Sequence, residues 1–68
     1  MKISRFLRIT ATGSELTDHR WDVSRWHDNM GMGIDKFHTY KEALAFARAL
    51  QLAYRNVGRE YIVRREAI

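Results

Sequence analysis

Cysteine and proline are both absent from this 68-residue chain. Without cysteine there is no disulfide staple and no thiolate metal cage, and a reducing cytoplasm is the expected setting. The absence of proline also argues against a flexible linker or tail. Long apolar runs are missing too. Arg5 and Arg8 interrupt the N-terminal hydrophobic stretch, so neither a signal peptide nor a membrane span is expected. Acid is scarce where it would matter most. From Tyr40 to Asn56 the only carboxylate is Glu42.

What is present suits a folded domain. Hydrophobic residues make up 46% and charged residues 29%, a balance for a globular chain rather than a disordered one. The length predicts a single domain over residues 1–68 with a marginal core, stabilised by packing and compatible with a homodimer. The net charge is +4, with arginine outnumbering lysine nine to three. Guanidinium groups bind carboxylates and phosphates bidentately, so an acidic partner is expected, either an acidic protein surface or nucleic acid. Solubility alone would also account for the charge.

The clearest local signal is Phe37-His38-Thr39-Tyr40-Lys41-Glu42-Ala43. Thr39 with Glu42 three residues on spells a capping box, with the hydroxyl accepting from the Glu42 N–H and the carboxylate reaching back to the Thr39 N–H. It places a helix over about Tyr40 to Asn56. Ala43, Phe46, Ala47, Leu50, Ala53, Tyr54 and Val57 form its apolar stripe, and Gly58 its left-handed end. Upstream, residues 3–12 and 19–27 alternate as strands. Leu7, Ile9, Trp21 and Val23 fall on the core parity, and Phe6, Arg8, Ser24 and Trp26 on the other. Gly13-Ser14 opens a hairpin connection. Asp28-Asn29 with Gly31-Met32-Gly33 reads as a second turn, with a short third strand near Met32 to Phe37 and a last strand over 59–65. The fold class is α+β. One β-β-(β)-α-β domain packs a helix on one face of a three- to four-stranded, mostly antiparallel sheet, in spatial order 4-1-2-3.

Two surfaces carry the functional expectation. Lys41, Arg48 and Arg55 recur every seven residues on the helix's outer ridge, Arg59 follows, and Leu44 and Leu52 flank it. With no i,i+4 acid to neutralise it, the ridge suits an acidic groove, although the same pattern describes a plain solvated face. On the open sheet face, Arg8, Trp26 and Arg64 are residue types favoured at binding hot spots, and exposed aromatics beside arginine also stack on single-stranded nucleic acid.

Catalytic, cofactor and metal sites are not expected. His19, His27 and His38 match no metal-ligand spacing. Asp18, His19 and Asp22 cluster in sequence, but acid–base work needs a concave pocket that a domain this small rarely encloses, and no serine sits in a nucleophile elbow. Gly31-Met32-Gly33 is too short for a phosphate loop. Met30 and Met32 read as core residues flanking a strand.

Trp21-Asp22-Val23, the glycine-containing turn, Phe37-His38-Thr39 and Glu42-Ala43 resemble the AP2-like arm-binding domains of phage integrases, which bind DNA with a three-stranded sheet. This chain differs by its fourth strand and by Asp22 and Asp28, which repel phosphate. In element order, size and arginine content the whole chain also resembles small phage effectors, such as inhibitors of host RNA polymerase and anti-CRISPR proteins. That resemblance implies a non-enzymatic protein-binding module, an inhibitor or adaptor covering a surface of a host complex. A DNA- or RNA-binding accessory protein is the alternative.

Overall fold

The computed structural model describes residues 5–12 and 20–66. Strand β1 (Arg5–Ala11) alternates as expected: Leu7 and Ile9 are fully buried, while Phe6, Arg8 and Thr10 face the other side and stay half-buried. Strand β2 (Trp21–His27) pairs with it antiparallel, setting Ile9 against Val23, Arg8 against Ser24 and Phe6 against Trp26. Val23 joins the core. The expected Gly13-Ser14 connection and His19 lie outside the described residues.

Asp28 and Asn29 alone make the next turn. Their φ values of 53° and 65° are both left-handed, the backbone of a two-residue hairpin that aspartate and asparagine tolerate. Strand β3 therefore begins at once and spans Met30–Phe37. This corrects the sequence reading, which put Gly31-Met32-Gly33 in the turn and started the strand at Met32. The glycines serve the strand instead. A Cβ at Gly31 would lie 2.4 Å from Cε2 of Trp26, so the missing side chain makes room for the indole opposite it. Next to Gly33 the register slips: Ser24 faces Gly33 and Val23 faces Asp35, leaving Ile34 as the extra residue of a bulge.

Helix α1 (Tyr40–Asn56) follows its capping signal. Thr39 is extended, and its hydroxyl oxygen accepts from the Glu42 N–H at 3.2 Å. The return contact differs from the expected one. The Thr39 hydroxyl donates to the Glu42 carboxylate at 3.1 Å, in place of the backbone N–H. Ala43 and Ala47 are fully buried, their small side chains letting the helix sit close to the sheet. Tyr40, Leu44, Phe46, Leu50 and Tyr54 pack around them. Ala53 and Val57 do not share this burial, contrary to the predicted stripe. Ala53 lies at the stripe's margin with a single methyl, and Val57 stands past the last helical residue and is 70% exposed.

Gly58, at φ 81°, ends the helix. Its N–H donates to the Arg55 carbonyl at 3.1 Å, and the Arg59 N–H donates to the Tyr54 carbonyl at 2.7 Å. These are the two bonds of a Schellman motif. Because Arg59 is used in the cap, strand β4 begins later than expected, at Ile62–Glu66. It runs parallel to β1, pairing Phe6 with Ile62 and Arg8 with Arg64. The sheet order β3-β2-β1-β4 matches the expected topology.

Candidate interaction surfaces

Lys41, Arg48, Arg55 and Arg59 are all exposed, and Leu52 among them is 60% exposed. The Arg48 guanidinium donates to the Gln51 side-chain oxygen at 3.1 Å, a neutral partner. Among the described residues the one ion pair is between Arg8 and Glu66, so no carboxylate there neutralises the ridge. Arg48, Gln51, Leu52 and Arg55 line a shallow concavity of about 240 Å³. Leu44 is half-buried against the core.

The open sheet face is organised differently. Cross-strand pairing brings Phe6 beside Trp26, with ring planes 4° apart and centroids separated by 6.2 Å. The Arg8 guanidinium carbon lies 3.9 Å from the Trp26 ring centre and 5.4 Å from that of Phe6. The Arg64 guanidinium lies 4.5 Å from the Phe6 ring centre. Arg8 Nη2 is also 3.1 Å from Glu66 Oε1. Below, the Trp26 indole N–H donates to Ser24 Oγ at 2.9 Å, and that hydroxyl donates to the Arg8 carbonyl at 3.4 Å. The face is thus a connected stack of rings and guanidinium groups, with the exposed Ile62 at its side. Arg8, Trp26 and Arg64 come together as the alternation predicted. Glu66 and Gly31 were missed. Glu66 shares the parity of Ile62 and Arg64, the one signal that could have placed it beside Arg8.

The remaining sequence candidates scatter. Asp18 and His19 lie outside the described residues, and Asp22 borders an open concavity of about 470 Å³ with Gly33, Ile34, Asp35 and Lys36. Trp21 packs at the edge of the core, 5.1 Å from Tyr40 and within 5.2 Å of the Arg65 guanidinium. Met30 and Met32 are not core residues. They are 77% and 63% exposed on the edge strand, opposite His27 and Arg25 rather than beneath the helix. Among the described residues no three His, Asp or Glu side chains gather as metal ligands. No helix there is long and apolar enough to cross a membrane. Comparison with known protein families, with characterised proteins and with solved structures finds no match.

Proposed function

We propose that this chain is a non-enzymatic protein-binding module, an inhibitor or adaptor of the small phage type, that covers an acidic surface of a host protein complex with its helix ridge. The observation that carries this reading is the set of exposed cations Lys41, Arg48 and Arg55, unpaired with acid among the described residues, around the exposed Leu52. Acids at i,i+4 would pair with these cations and stabilise the helix, and the helix carries none there. Charge steers the approach, and arginine and leucine contacts hold the docked state. The open face supports acidic docking less strongly, because Arg8 already has Glu66 as its partner.

The test is charge reversal. Arg48→Glu with Arg55→Glu keeps the fold, since both side chains are exposed, and abolishes binding to a purified partner that the wild type retains. Binding unchanged in the double variant would remove the ridge from the interface.

Nucleic-acid binding through the open face is the second reading, favoured by the Phe6–Trp26 stack with its two guanidinium groups. Those guanidinium groups already occupy ring faces that bases would need. Gel shifts with random duplex and single-stranded oligonucleotides at low salt decide it, because phosphate contacts give a steep loss of affinity with salt. No shift at low salt eliminates this reading.

A further inference from the structure

At the end of the sheet where the helix stops, separate segments bring like charges together. Arg5 opens β1, Arg25 and His27 lie at the close of β2, Arg59 closes the Schellman turn and Tyr61 precedes β4. All five line one concavity of about 300 Å³. Arg5 and His27 are register partners, and Arg25 stands opposite Leu7, so the three project from the helix-bearing face of the sheet. Tyr61 is a firm floor, 5% exposed, with its ring 4.5 Å from that of Tyr54.

Among the described residues no carboxylate lines this concavity. Among the described residues, none of the three guanidinium groups, nor the His27 imidazole, makes an ion pair or a side-chain hydrogen bond. Glu60 lines the neighbouring hollow, with Gln51, Arg55 and Ile62, and Tyr61 lines both. Arginine cannot relieve crowding by losing its proton. The helix C-terminus contributes about half a negative charge, too little to balance three cations, and its Arg55 and Tyr54 carbonyls are taken up by the Gly58 and Arg59 N–H groups. Arg5, His27 and Arg59 are exposed and Arg25 is half-buried, so these groups are open to an anion from outside. Guanidinium forks suit the oxygens of a tetrahedral oxyanion, and the space exceeds that of one bare phosphate.

We propose that this concavity binds a phosphoryl dianion, free or as a small monoester, with Arg5, Arg25 and Arg59 donating to its oxygens and His27 at the rim. The proposal stands apart from the ridge reading, with which it shares only Arg59. The test is an NMR titration of backbone amide and arginine Nε–Hε signals at constant ionic strength. Its arms are inorganic phosphate and phenyl phosphate, with sodium chloride as control. Saturable shifts are expected at Arg5, Arg25, His27 and Arg59, and whichever arm saturates at lower concentration identifies the free or esterified source. Arg25→Gln weakens binding by about tenfold or more, as loss of a charge-assisted bond implies, while Arg48→Gln leaves it unchanged. Arg59→Gln, at an exposed position, repeats the test should Arg25→Gln disturb the fold. Shifts that grow linearly and match those in chloride would overturn the proposal. So would equal weakening by Arg48→Gln, which would mean a diffuse field rather than a site.

Discussion

Leu7 and Ile9 are sealed beneath the helix, while their chain neighbours Phe6 and Arg8 stay partly wet on the opposite face of the same strand. The two faces share a backbone and differ in what holds their side chains. On the helix side the force is burial, about 1.5–3 kcal/mol for each large aliphatic side chain removed from water, with no directional demand. On the open side the contacts are oriented. A ring stack contributes about 0.5–1.5 kcal/mol and a solvent-exposed cation–π contact about 0.5–1 kcal/mol. The Arg8–Glu66 pair, open to solvent at its Glu66 end, contributes about 0–1 kcal/mol. Burial therefore decides whether the chain folds. The oriented contacts decide where Arg8, Trp26 and Arg64 stand once it has folded.

The strongest way to break this contrast is Leu7→Ala. Leu7 has no exposed surface and sits in the cluster with Val23, Ala43 and Ala47. A loss of about 2–5 kcal/mol is expected, most of the stability of a domain this small. Urea denaturation followed by far-UV circular dichroism measures it. A loss as small as that from an open-face substitution would erase the distinction between the faces.

Gly31→Ala comes next and probes a place where the open face is tightly packed. The new methyl would meet Trp26 at 2.4–2.5 Å, so either the indole or strand β3 must move. About 1–3 kcal/mol is expected, the usual cost of overpacking. Near-UV circular dichroism should report the displaced tryptophan. Adding Trp26→Ala should make the glycine substitution nearly neutral. A persistent loss in that background would show that Gly31 matters for its backbone and not for the ring above it.

These substitutions also mark where sequence reasoning succeeded and where it stopped. Thr39 with Glu42 and Gly58 placed the helix ends, because caps are made by residues three to five apart in the chain. The Arg48–Arg55 ridge was legible for the same reason: helical spacing alone lines it up. Gly31 was misread because glycine serves a turn and a crowded strand alike, and choosing between them needs Trp26 in register across β2 and β3. The pairing of the first and last strands was expected, but Glu66 was not placed beside Arg8 because the last strand was read over 59–65, one residue short of it, and its true register on β1 is set only in the folded sheet. The Arg5, Arg25 and Arg59 cluster likewise exists only once segments distant in the chain meet at one end of the sheet.

Arg8→Met sharpens the contrast at intermediate scale. It removes the ion pair with Glu66 and the guanidinium over Trp26 while keeping an apolar stem against the rings. The loss is offset because Arg8 Nε is buried with no hydrogen-bond partner among the described residues, a cost that methionine does not carry. A net change of under about 1 kcal/mol is expected. The informative readout is salt. Thermal stability of the wild type should fall more between low and high sodium chloride than that of the variant, because screening weakens a pair open to solvent. Equal salt dependence would remove Glu66 from the account of how Arg8 is held.

The smallest effect is expected at Ile62→Thr. Ile62 stands beside Phe6 on the open face and is 59% exposed, and threonine keeps the β-branched shape that strands favour. With little burial to lose, stability should change by no more than about 0.5 kcal/mol. A neutral outcome in dilute solution means that this face is uncovered in the isolated chain and its side chains hold their places by contacts with one another. A loss above about 1.5 kcal/mol would require Ile62 to be covered, and a second copy of the chain is the available cover. The measurement is then repeated over a hundredfold range of protein concentration. A midpoint that rises with concentration assigns the open face to self-association, because mass action stabilises only what binds the folded state.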